Sequence, residues 1–116
     1  MTLNKKSTSG TTTGTMDKLT KEQGDKLLHL AREAITLYLD KKEYLKVKSE
    51  PWMEENRATF VTLKINNNLR GCIGHLHPIQ DVNKDVIDNA VGAAFMDSRF
   101  PELRKSELDK IHIVLS

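Results

Sequence analysis

Phe60-Val61-Thr62-Leu63-Lys64-Ile65, then Asn66-Asn67-Asn68, then Leu69-Arg70-Gly71-Cys72-Ile73-Gly74 is the stretch that decides the fold. Val61, Leu63 and Ile65 alternate with Phe60, Thr62 and Lys64, which is the period of a half-buried strand from Thr59 to Ile65. Asparagines accept positive φ at small cost, so the chain turns back after Ile65 and Leu69 to Leu76 becomes the second arm of a hairpin. Strict alternation in that arm puts Leu69, Gly71, Ile73 and His75 on one face. Arg70, Cys72, Gly74 and Leu76 fall on the other.

The second arm also carries the chemistry. A guanidinium two residues from a thiol favours the thiolate, and glycines at 71 and 74 remove side chains that would hold a ligand off the backbone. Arg70 and Cys72 are therefore the candidate catalytic pair, with Arg70 binding an anionic group and Cys72 as nucleophile or contact residue. The structural alternative is a buried, inert cysteine, with glycines that serve a bulge or close packing.

On the N-terminal side, Thr20-Lys21-Glu22-Gln23 has the form of a capping box, and Leu27, Leu30, Ala31, Ala34 and Tyr38 follow at helical spacing to about Leu39. The segment from Asp40 to Ala58 reads as a long irregular loop, its lysines solvated and Trp52 a lid on the core. Residues 1–17 are rich in Ser, Thr and Gly and bury almost nothing, so a disordered tail is expected there, with one domain from 18 to 116.

On the C-terminal side, His75 and His77 have H-x-H spacing, but a metal centre needs three or four ligands and only two are in view, so no metal is assigned. Asp81 is placed to cap a second helix, whose stripe is Val82, Val86, Ala90 and Ala93. Asn89 sits within this stripe, and a buried amide needs a partner, whether backbone or ligand. Asp97 and Arg99 flank a loop ending at Phe100-Pro101 and are suited to a local ion pair. A short helical turn at Ser106 to Asp109 leads to a last strand with Ile111, Ile113 and Leu115 on one face. Nothing later in the chain covers that face or the strand's edge, so self-association through it is expected. Helix, antiparallel hairpin, helix and strand add up to an α+β fold.

Composition bounds the function. At 116 residues the chain holds one domain at most, 38% hydrophobic and 29% charged, as in ordinary globular proteins. A net charge of +2, with 18 basic against 16 acidic residues, gives no electrostatic case for nucleic acid. One cysteine makes no internal disulfide and holds no iron–sulfur cluster, which fits a reducing, cytoplasmic setting. No apolar run is long enough to span a bilayer, and no cofactor is assigned.

Leu69-Arg70-Gly71-Cys72-Ile73-Gly74, Asn89-Ala90, Ala93-Ala94-Phe95 and Asp97-Ser98-Arg99-Phe100-Pro101, in this order and spacing, resemble the AMMECR family. Ala31-Arg32-Glu33-Ala34-Ile35 and Phe60-Val61-Thr62-Leu63 extend the likeness, which runs from about Leu27 to the last residue and covers the first half of the family domain. The resemblance implies the first half of a two-repeat, barrel-like sheet. It also implies a pocket shared by Gly71, Gly74, Asn89, Asp97 and Arg99 as ligand-binding residues around Arg70 and Cys72. In microbes the family is similar to a component encoded beside Memo-type and radical S-adenosylmethionine proteins, which implies them as pathway partners but no established reaction. Two readings follow: a small-molecule-binding or modifying enzyme component, or a non-catalytic protein- or nucleic-acid-binding module. For the latter the sequence shows no nucleic-acid motif.

Overall fold

The structure, a computed structural model, describes residues 10–13 and 18–116. Its elements are strand β1 (Gly10–Thr12), helix α1 (Lys21–Lys41), strands β2 (Phe60–Ile65) and β3 (Asn68–Gly74), helix α2 (Val82–Phe95) and strand β4 (His112–Leu115). Single 3-10 turns at Pro51–Glu54 and Lys105–Lys110 interrupt the connections. The fold is α+β.

Local chemistry sets the boundaries. Thr20 Oγ1 accepts from the Gln23 amide at 3.0 Å and Gln23 Oε1 accepts from the Thr20 amide at 3.0 Å, so the capping box satisfies two of the otherwise orphaned donors that open α1. The helix ends where Lys42 turns left-handed at φ 58°. Asn66 and Asn67, at φ 51° and 68°, make the hairpin turn that the asparagine run anticipates. Asp81 stands at the N-cap of α2 without a side-chain bond to it.

The sheet order is β1-β4-β2-β3, with β2 antiparallel to both β3 and β4 and β1 parallel to β4. Both helices lie on one face. α1 covers β4 and β1, and α2 covers β2 and β3. The core between the layers holds Leu27, Ala31 and Ile35 from α1, Val82, Val86, Ala90 and Ala93 from α2, and Val61, Leu63, Ile113 and Leu115 from the sheet. Each large side chain there contributes about 1.5–3 kcal/mol by leaving water. Arg32, buried in α1, donates to the Leu108 and Ile111 carbonyls at 2.9 and 2.8 Å and ties the turn before β4 to the helix.

Two expectations are corrected here. Of the expected tail at 1–17, Gly10–Thr12 is a strand paired residue for residue with Ile113, Val114 and Leu115, while the remainder other than Thr13 lies outside the described residues. Three polar residues carry no hydrophobic period, and the pairing comes from the backbone of β4. The last strand, expected to present a bare edge and apolar face, is instead interior. β1 and β2 occupy its two edges, and Ile111, Ile113 and Leu115 are buried under the helices. The case for self-association through this strand therefore fails.

Candidate functional site

The hairpin register departs from strict alternation at one point. Leu63 pairs with Gly71 and Lys64 with Leu69, which leaves Arg70 as an extra residue in a β-bulge. Leu69 consequently swings to the side of Lys64 and is 42% exposed, instead of joining Gly71 and Ile73. Gly71 keeps the helix-facing side, where an added Cβ would collide with the Ala93 carbonyl of α2. At Gly74 a Cβ would meet the Phe60 ring. The space both glycines leave is thus filled by the protein itself, and close packing replaces the ligand approach expected of them.

The residues singled out in the sequence divide into three clusters. In the first, Arg70 forms a two-pronged ion pair with Glu107 of the Lys105–Lys110 turn, Nε to Oε2 at 2.9 Å and Nη2 to Oε1 at 3.0 Å. Arg70 holds the Glu107 carboxyl down to about 2, assisted by the Arg104 amide, which donates to Oε1. Among the described residues Arg70 Nη1 has no partner. The guanidinium is spent on the fold. It does not meet Cys72.

The second cluster surrounds the thiol. Cys72 pairs across the hairpin with Thr62, on the face away from the helices, and its Sγ lies 3.2 Å from Thr62 Oγ1. At the outer edge of β3 the Cys72 amide donates to Asp97 Oδ2 at 3.0 Å, and the same carboxylate accepts from Arg99 Nη2 at 2.8 Å, Nε at 3.0 Å and the Arg99 amide at 3.1 Å. Arg99, then burial opposing it, then the Cys72 amide govern Asp97, and the net result is a carboxyl far below the usual range. Asp97 in turn raises Arg99, to which a charged Cys72 sulfur adds a smaller contribution. The expected Asp97–Arg99 ion pair is present, and it places an arginine 58% exposed beside the thiol. Arg99 takes the position expected of Arg70.

The third cluster lies on the helix side of the sheet. Asn89 Nδ2 donates to the Thr59 carbonyl and Oγ1, both at 3.0 Å, and to Asp85 Oδ2 at 3.1 Å. Asp85, fully buried, also accepts from the Thr59 amide and hydroxyl, and its other oxygen meets His75 Nδ1 at 2.7 Å. Asn89 is thereby satisfied by the protein and stands apart from the Cys72, Asp97 and Arg99 group. Among the described residues no group of three or more His, Cys, Asp or Glu is placed to hold a metal ion. None of their helices is long and apolar enough to cross a membrane.

The family model described as AMMECR1 matches residues 28–116. This chain belongs to the AMMECR1 family. A Methanopyrus kandleri relative is 40% identical over 104 residues, covering 86% of this chain and 50% of its own length, and one from Methanocella arvoryzae is 37% identical over 97 residues, covering 82% and 49%. The crystal structure of an uncharacterised protein from Pyrococcus horikoshii superposes with a TM-score of 0.81 at 34% identity, over 85% of this chain and 52% of that one. The chain spans about half the length of these AMMECR1-family relatives.

Several partners of these residues escaped sequence reasoning. Glu107 lies on a short turn, where no period marks a buried-side carboxylate. Asp85 was more visible, since Asp85 and Asn89 form an i, i+4 polar pair inside an otherwise apolar stripe. A groove of about 830 Å³, lined by Arg32, Thr36, Leu37, Leu39, Leu45, Lys105 and Leu108 among others, runs between α1 and the Lys105–Lys110 turn and includes none of the expected site residues.

Proposed function

We propose that the chain is a component of a small-molecule-modifying enzyme in which Cys72 is the nucleophile, Arg99 holds the anionic group of the substrate, and Asp97 positions both. The observation that carries this reading is the Asp97 carboxylate, which bonds the Cys72 backbone and the Arg99 guanidinium at once and leaves that guanidinium largely open to solvent. A fixed cation beside a thiol draws an anionic reagent to the sulfur, and Thr62 Oγ1 lies at hydrogen-bond distance from that sulfur. Arg70 and Glu107 tie β3 to the Lys105–Lys110 turn. Memo-type and radical S-adenosylmethionine proteins, implied by the family resemblance, are the pathway partners proposed with this reading.

Alkylation with a charged and a neutral reagent of the same size tests it. Iodoacetate should outrun iodoacetamide at Cys72, relative to their order on free cysteine, and Arg99→Gln should abolish that advantage while Arg70→Gln leaves it in the folded fraction. A Cys72 that alkylates no faster than free cysteine, indifferent to Arg99, removes the proposal. A second reading, a non-catalytic module that binds protein, is favoured by the groove beside α1, which is large and lies away from the thiol. For that reading Leu45→Glu should abolish partner capture without touching Cys72 reactivity.

A further inference from the structure

The cluster around Asp85 has a property that structural tethering does not require. Every group that meets the carboxylate has its orientation set by something else. The Thr59 amide is a donor by nature, at 2.9 Å. Asn89 Nδ2 faces the Thr59 carbonyl, an obligate acceptor, which fixes the amide with its nitrogen inward. That nitrogen also donates to Thr59 Oγ1, whose own hydrogen goes to Asp85 Oδ2 at 2.6 Å. Gln80 Nε2 is fixed in the same way, because it bridges Asp85 Oδ1 at 3.0 Å and Asp88 Oδ2 at 3.1 Å, two carboxylates. Asp85 thus sits fully buried as an acceptor-only group ringed by donors.

His75 completes the ring, and this fixes its tautomer. Nδ1 lies 2.7 Å from Asp85 Oδ1 and 3.4 Å from Asn89 Nδ2, and because the two hydrogens of that amide have closer acceptors in Thr59 and Asp85, the short contact to the carboxylate places the imidazole proton on Nδ1 and, in the neutral ring, the lone pair on Nε2. Nε2 has no partner among the described residues. The side chain is 35% exposed while its carboxylate partner is 0% exposed, so the ring is anchored at the buried end and open at the other. The segment that carries it also turns the apolar side chains of Leu76 and Ile79 to solvent, at 81% and 61%.

We propose that His75 and Asp85 form a second, thiol-independent site, in which Nε2 is the general base for hydrolysis of small apolar esters. A water proton passes to Nε2 as the water oxygen bonds to the carbonyl carbon. Collapse of that adduct breaks the bond from carbon to the leaving oxygen, which takes the proton back from Nε2, so an ester and water give an acid and an alcohol. Asp85 is a positioning residue, holding Nδ1–H and stabilising the imidazolium while it exists, and Thr59, Asn89 and Gln80 hold Asp85 in turn. The site is separate from Cys72: Ile73 and His75 face the helices, and Cys72 faces away from them.

The test uses the full chain in a Cys72→Ser background, so that thiol chemistry makes no contribution and the thiol proposal stands or falls separately. Release of p-nitrophenolate from p-nitrophenyl acetate should drop about a hundredfold on adding His75→Gln, the lower end of what a positioned base supplies. His77→Gln, at an exposed neighbour, should leave it as it was. Long-range nitrogen–proton correlation on the parent chain should show the His75 proton on Nδ1, and in Asp85→Asn the proton should move to Nε2 with the loss of esterase rate. Circular dichroism verifies that each variant is folded; if Asp85→Asn is not, His75→Gln and the parent spectrum decide alone. An esterase rate unchanged by His75→Gln, or a parent His75 carrying its proton on Nε2, overturns the proposal.

Discussion

Arg70 and Arg99 make the same kind of bond with opposite burial. Arg70, with a side chain 11% exposed, reaches out to Glu107 at 22%, whereas Arg99, at 58%, reaches in to Asp97 at 6%. In one pair the cation is the buried member and in the other the anion is. A buried guanidinium fastens segments together and is closed to ligands, while an exposed one anchored by a buried carboxylate keeps its outer donors for something else. The difference teaches that proximity in sequence is a poor guide to which cation serves a thiol. Arg70 is two positions from Cys72 and turned to Glu107; Arg99 is far along the chain and beside it.

The comparison breaks most easily on the locked side. Gly71→Ala should cost the most, about 3 kcal/mol, because its Cβ meets the backbone oxygen of Ala93, which cannot step aside as a side chain can. Gly74→Ala should cost somewhat less, since the backbone oxygen it would meet, that of Thr59, lies farther off than the Ala93 oxygen does at Gly71, and the Phe60 ring, 37% exposed, can rotate away. Urea unfolding of the two variants measures both, and equal losses would count against a helix pressed on the bulge.

Next in size is Arg70→Met, expected to cost about 2 kcal/mol, below the range for fully buried pairs because Glu107 retains some water. The loss should depend on pH. Glu107 binds its proton less readily folded than unfolded, so the unfolded chain takes up protons first and the pair's contribution, intact above pH 4.5, falls away as pH drops toward about 2. In Arg70→Met that slope should flatten, as denaturation midpoints at several acidic pH values will show.

Smallest for stability, and sharpest for the comparison, is Arg99→Gln. Its unfolding midpoint should move less than that of Arg70→Met, while iodoacetate labelling of Cys72 slows more. The reverse ordering, with Arg70 controlling the thiol and Arg99 the fold, would dissolve the distinction.

The elements were largely legible in the sequence because their signals are local. Thr20 and Gln23 announce the start of α1, Asn66 and Asn67 the hairpin, and the apolar stripe α2. The site was less legible because it depends on one residue of register. The bulge at Arg70 is a property of the pair of strands, invisible to alternation read along one of them, and it separates Arg70 and Leu69 from the faces that alternation gives them. Asp97 and Arg99 form the local ion pair that their spacing suggests, yet their third partner is the backbone of Cys72. Asn89, an amide that needs a partner, finds Thr59 and Asp85 rather than the thiol's surroundings. Backbone partners distant in sequence leave no trace in residue type.

β4 joins the two halves of the sheet, pairing with β2 on one side and β1 on the other. The hairpin of β2 and β3 assembles from neighbours in sequence, but β1 has no strand to lie against until β4, from the opposite end of the described chain, is seated on β2. Closing so long a loop is slow, so the topology predicts an order of assembly: hairpin, then central strand, then the N-terminal strand. On that order β1 waits without its partner until β4 is seated. The polar sequence Gly10-Thr11-Thr12 is suited to that wait, because an unpaired strand with nothing apolar to offer is a poor template for aggregation.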